Sequence, residues 1–248
     1  MNQFQMEESP WQEFDQRDRD SLIVIIPIGA VEVYGKHMPM GSDGIAVKSI
    51  SRKLCESTDL NIMGGPLVPI GFSRHLQTFP GTLSVSTASL KGYLKDFANS
   101  LVKWGCKKLV FFNGHLGNVP PVTELMFELF DENEVSSIQI DLWRFIQPIS
   151  EDLLESESLK YGHAGEAMTS VFLYLHPEMV RKNEMLDQPE RKVKYPEGVT
   201  GIRDFRKSSN EGVLGFSTKA SPEKGEKIVS RTIAELEKTI KDAFPDHN

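Results

Sequence analysis

A run of aliphatic, mostly β-branched residues from Leu22 to Ile28 leaves few folds open to this chain. It lacks the polar alternation of a strand with one wet face. It therefore suits a strand covered on both sides, as in a parallel sheet. The run stops at Gly29, and a polar, glycine-rich loop follows to Gly44. Ile45 to Ser57 then places Ile45, Ala46, Ile50 and Leu54 on one helical face.

The pattern repeats along the chain. Asn61 to Ile70 reads as a second strand, interrupted by Gly64-Gly65-Pro66. A long loop carrying Phe79-Pro80-Gly81-Thr82 leads to a helix over Thr87 to Trp104, which Gly105 is placed to stop. Lys108 to Phe112 reads as a short buried strand, Pro120 to Asn133 as a helix with proline in its first turn, and Ser136 to Phe145 as another strand. Gly162 opens a helix to about Leu175. Pro189 to Ser221 reads as irregular, and Pro222 to Phe244 as an amphipathic closing helix. Strands alternating with helices imply a mostly parallel sheet covered on both faces. No repeat or dividing linker breaks the 248 residues, so one domain over 1–248 is expected.

Bulk properties exclude more than they assign. The net charge of -7 and the scattered basic residues, of which Arg191 to Lys194 is the densest run, argue against nucleic acid. No apolar segment approaches the length of a bilayer span, and Met1 to Asp20 is polar without a signal sequence. Cys55 and Cys106 lack metal or redox spacing and read as buried small hydrophobes in a reducing compartment. A cytoplasmic protein without membrane contact is expected.

Ligands of open α/β sheets bind beyond the carboxyl ends of the strands. The loops expected there deliver three carboxylates, Glu32, Asp43 and Glu166, and four of the six histidines, His37, His75, His115 and His163. Each has a plain alternative. A loop histidine is commonly a surface hydrogen-bonding group, and Glu166 at a helix start complements the dipole. Their joint appearance at one edge instead fits a divalent metal with nitrogen and oxygen ligands: zinc first, with manganese or iron as alternatives. No GxGxxG or Walker-type loop is present, so a nucleotide is not expected.

The same stretches, in order, resemble the creatininase (creatinine amidohydrolase) family. The matching segments are Pro27-Ile-Gly-Ala-Val-Glu32, Gly35-Lys-His-Met-Pro-Met-Gly-Ser-Asp43, Phe79-Pro-Gly-Thr82, Asn113-Gly-His-Leu-Gly-Asn118, His163-Ala-Gly-Glu166, Gly212-Val-Leu-Gly215 and Ala220-Ser-Pro-Glu-Lys-Gly225. The resemblance implies a three-layer α/β/α sandwich with a mostly parallel central sheet, a two-metal centre, commonly of zinc or manganese, a hexameric homo-oligomer, and hydrolysis of a small cyclic amide or formamide; with Tyr34 in this chain, one or two divalent ions are expected. By position, it implies Glu32 and His115 on a first metal, Asp43 bridging, and Glu166 on a second. The family commonly carries a histidine ligand where this chain has Tyr34. Creatininase itself carries a glutamate where this chain has Gly117. At the second metal either Tyr34 ligates as a phenolate, or His37 or a water substitutes, or the site is weak.

The mechanism expected is attack of a metal-activated water on a carbonyl. His163 is the first choice of proton shuttle, and His37 and His75 are the second choices for that role or for substrate contact. His75, Asn118 and Trp143 are expected against the substrate. The segments Phe72 to Leu76, Trp143 to Pro148 and Lys192 to Phe216 are expected to set specificity. The alternatives are ring opening of a cyclic keto-sugar, keto-inositol or lactone, or a non-catalytic metal or ligand-binding protein on the same fold.

Overall fold

The computed structural model describes residues 5–189, 195, 196, 198, 199, 201, 202 and 204–245. The run Arg191–Lys194 and His247 lie outside the described residues. After a short helix α1 (Trp11–Asp15), the first strand β1 (Ile23–Ile28) is buried at every position. It is followed by α2 (Ser42–Ser57), β2 (Ile62–Gly64), α3 (Thr87–Lys103), β3 (Lys108–Asn113), α4 (Val119–Asn133) and β4 (Ser136–Asp141). Two single-turn helices follow, α5 (Leu142–Phe145) and α6 (Gln147–Ser150), then α7 (Glu166–Leu175) and α8 (Pro222–Ala243). Between these last two, β5 (Asp187–Gln188) and β6 (Gly215–Phe216) form a small antiparallel pair.

The main sheet is parallel, in the order β2-β1-β3-β4. Successive side chains of a strand point to opposite faces, and β1 shows the consequence. Ile23 and Ile25 enter a core shared with α2, α7 and α8, whereas Leu22, Val24, Ile26 and Ile28 enter a second core under α3 and α4. The result is the three-layer α/β/α arrangement, with both sheet faces dry.

Local chemistry explains the boundaries. The Ser86 hydroxyl accepts from Ser89 N at 3.0 Å to cap α3, and the Ser221 hydroxyl accepts from Lys224 N to cap α8. Lys91 and Lys95 reach Glu124, Glu128 and Glu132, tying α3 to α4. The second strand is shorter than its apolar stretch predicts. It breaks at Gly64, and the sheet resumes only as a bridge between Val68 and Ile28. Pro66 lacks an N–H for the ladder. Pro27 is tolerated in a central strand for a related reason. Its carbonyl accepts from Val68 N on the β2 edge, so its missing donor falls where that pairing has lapsed.

A second correction concerns the stretch expected as a strand to Phe145. It turns helical at Leu142, directly after Asp141 at the sheet edge. The turn redirects Trp143 toward the loops beyond the strands. Cys55 and Cys106 are buried, and burial pushes the Cys55 thiol up to about 12. Among the described residues, no helix is long and apolar enough to cross a membrane.

Candidate metal centre

The strand order reverses direction between β1 and β3, since β1 connects outward to β2 while β3 lies on its other side. Loops leaving β1 and β3 therefore part and open a crevice. Glu32 stands in the β1 loop, His115 in the β3 loop, and Asp43 in the first turn of α2. Gly114 lets these elements close up, because a Cβ there would lie 2.6 Å from the Asp43 carbonyl oxygen.

Glu32, Asp43 and His115 bring one ligand atom each to within 4.8 Å of one another, and all three are buried. His115 Nδ1 lies 3.1 Å from Glu32 Oε2 and 3.4 Å from Asp43 Oδ2. On its other side, His115 Nε2 donates to the Phe72 carbonyl at 3.1 Å. That bond directs the Nδ1 lone pair at the carboxylates, the tautomer a metal-binding imidazole needs. Burial opposes a charge on His115, but Glu32 and Asp43 outweigh it and raise its pKa to about 10. The two carboxylates thus call for positive charge at this point. Asp43 Oδ2 is buried with no hydrogen-bond partner among the described residues. An orphaned carboxylate oxygen beside a carboxylate and an imidazole fits a divalent cation.

The second contacts of the trio are specific. Ser73 Oγ donates to Glu32 Oε2 in a short hydrogen bond. Asp43 Oδ1 accepts from Trp143 Nε1 at 2.9 Å and from the Tyr34 hydroxyl in a short bond. Burial first, then the charge of Asp43, hold the Tyr34 phenol well above its ordinary pKa. The Tyr34 hydroxyl thus stands as a donor to Asp43, in place of the phenolate that was one of the three alternatives at a second metal.

His163 enters from the loop before α7. Its Nε2 lies 2.6 Å from the Val33 carbonyl, an oxygen that only accepts, so Nε2 carries the proton. Its Nδ1 lone pair faces Glu32 Oε1 at 3.8 Å, and its ring lies 4.3 Å from Tyr34 and 5.1 Å from Phe205, centroid to centroid. Ala164, the next residue, takes a left-handed backbone with φ of 53°. The trio, His163, His75, Tyr34 and Trp143 all line one cavity of about 430 Å³, a size suited to a small molecule. His75 lies over His115 with ring centroids 6.0 Å apart, at the exposed side of the cavity.

Three expected site residues stand elsewhere. Glu166 does not join the trio. Its buried carboxylate accepts from the Glu155 and Ser156 amides at 2.9 and 2.8 Å, from the Ser156 hydroxyl, and from Lys224 Nζ at 2.7 Å. Four donors already surround it, so it braces the loop before α7 against α8. His37 is fully buried and turned to Thr169 Oγ1 at 3.0 Å, and that hydroxyl in turn donates to the Ala164 carbonyl. It supports the His163 loop from behind. Asn118 is buried as well, bonded to Phe72 N, the Gly29 carbonyl and Asn113 Oδ1, and it ties the loops together without facing the cavity.

Sequence reasoning missed Ser73 and Lys224. Ser73 falls inside a segment expected to set specificity, but a lone serine offers no signal that it will meet Glu32. Lys224 follows the cap of α8, 58 positions from its partner Glu166, and nothing local pairs them.

The comparisons with known proteins agree in outline. The profile of the creatininase family, described as creatinine amidohydrolase, matches residues 7–240. A creatinine amidohydrolase of Pseudomonas putida is 26% identical over 96% of both chains. A mycofactocin precursor peptide peptidase of Mycolicibacterium smegmatis is 28% identical, covering 91% of this chain and 87% of the relative. A 3-dehydro-scyllo-inosose hydrolase of Thermotoga maritima is 26% identical over 89% and 77% respectively. Among solved structures, a mutant creatininase of Zn-Zn type superposes with a TM-score of 0.88 at 25% identity, covering 98% of this chain and 99% of that one.

Proposed function

The chain belongs to the creatininase family, and from that premise we propose a metal-dependent hydrolase that opens the C–N bond of a small cyclic amide or formamide. The observation that carries this reading is the orphaned Oδ2 of Asp43, beside Glu32 and the Nδ1 of His115 at the wall of the cavity. A divalent cation held by Glu32, Asp43 and His115 supplies Lewis acidity toward a carbonyl oxygen and acidifies water at neutral pH.

The chain's own groups do the rest. Ser73, Phe72, Tyr34 and Trp143 hold the three ligands in place. The Nδ1 of His163 accepts the proton of the water that attacks the carbonyl carbon. As the C–N bond breaks, the same nitrogen returns that proton to the leaving amine. Phe205 and Tyr34 flank the imidazole and fix its plane.

Ring opening of a cyclic keto-sugar, keto-inositol or lactone is the second reading. It is favoured by the Thermotoga maritima relative's name and by Arg144 and Gln147 on the cavity wall, donors suited to hydroxyl groups. One experiment separates the two. Protein reconstituted with Zn²⁺ or Mn²⁺ is offered a panel of cyclic amides, N-formyl compounds, lactones and cyclic polyol ketones. Turnover of an amide that chelation abolishes supports the first reading; turnover confined to ketones or lactones transfers the assignment to the second.

A further inference from the structure

The number of cations turns on Asp43. A carboxylate shared between two ions must offer lone pairs to both. Here Oδ1 already accepts two hydrogen bonds, from the Tyr34 hydroxyl and from Trp143 Nε1 at 2.9 Å. A carboxylate oxygen has about two such sites, and both are filled. Oδ2 alone lies open, toward His115 Nδ1.

Two residues expected near a second ion, Glu166 and His37, are similarly committed. Glu166 is enclosed by Lys224, Ser156 and two backbone amides, and His37 is turned to Thr169. Gly117, two residues beyond His115, has no room for a side chain, because a Cβ there would lie 2.1 Å from the Phe72 carbonyl oxygen and 2.7 Å from His115 Nε2. Charge agrees with geometry. Glu32 and Asp43 bring two negative charges, matched by one divalent ion.

Building on the metal-dependent reading above, we propose that this centre takes a single divalent cation. In it, Asp43 is a one-oxygen ligand and Tyr34 is a positioning residue that occupies the bridging side of the carboxylate. This sets the chain apart from the Zn-Zn type structure it resembles.

The test counts ions without reference to any substrate. The metal-free full-length chain is titrated with Mn²⁺ and, separately, Zn²⁺, and bound metal is measured per chain together with the Mn²⁺ paramagnetic resonance spectrum. One equivalent is expected, with the six-line spectrum of an isolated ion. Two equivalents with a spin-coupled spectrum overturn the single-ion centre and leave the hydrolase reading standing. Failure to bind either metal overturns both.

Tyr34→Phe supplies the second arm. It should keep one equivalent and weaken Mn²⁺ binding by about 10- to 100-fold, as loss of a supporting hydrogen bond does. Complete loss of binding in a variant with unchanged circular dichroism would make Tyr34 a ligand and overturn its positioning role.

Discussion

At the scale of single residues, direction matters more than identity. His163 and His37 are both buried or nearly so, yet only His163 presents a lone pair to the cavity, because the Val33 carbonyl claims its other nitrogen. Replacing His163 with alanine is expected to lower turnover by about 10²- to 10⁴-fold while metal content stays constant. Joint loss of metal and activity, read by elemental analysis, would contradict the shuttle role. His37 affects stability instead. Burial lowers its pKa to about 4, from 6.5 in the unfolded chain. The folded state therefore resists taking up a proton that the unfolded state accepts. Stability is complete above pH 6.5 and declines as pH falls toward 4, by up to about 3 kcal/mol. Urea unfolding of His37→Gln should show a flatter loss across that window, and an unchanged slope would remove His37 from the account.

Elements carry the site through their ends. The first turn of α2 brings Asp43, the helical turn after β4 brings Trp143, and the loop before α7 brings His163. That last loop is held by Glu166 and Lys224, a buried ion pair between α7 and α8 with the carboxylate fully covered. Removing the cation alone leaves an uncompensated buried charge. Lys224→Met is thus expected to lose about 3 kcal/mol in chemical denaturation, and the Lys224→Met, Glu166→Gln pair distinctly less. Equal losses would mean that the pair is not coupled. Elements were also where sequence reading was strongest. The stripes of α3 and α8 and the dry run of β1 show their buried faces directly as period and composition. The short β2 and the helical turn at Trp143 were not legible, since each depends on where a neighbouring strand stops.

At the scale of the whole molecule, the cation and the fold are linked. A ligand bound only by the folded state stabilises it by mass action. Chelation of metal-loaded protein is expected to lower the Tm by roughly 5–10 °C, and an unchanged melting curve would speak against a cation at the trio. The outer faces of α3 and α4 expose Tyr93, Trp104, Phe127 and Phe130. This supports the reading of the chain as a homo-oligomer, with a hexamer as the expected form. Light scattering should give a mass near six times the 27.9 kDa chain, and a monomer at micromolar concentration would refute it.

The sequence by itself determined the parallel sheet between two helical layers, and it placed Glu32, Asp43 and His115 among seven candidate carboxylates and imidazoles at one sheet edge, with Glu166, His37, His75 and His163 beside them. Hydrophobic period and residue chemistry are local properties, and these conclusions need nothing more. Only the tertiary structure decided what each group faces. It turned Glu166 toward Lys224, His37 toward Thr169 and Tyr34 toward Asp43, and it brought Ser73 to Glu32. Those partners lie up to 132 positions apart. A side chain's bonding direction is set by which distant donors reach it first, and that is settled only once the layers have packed.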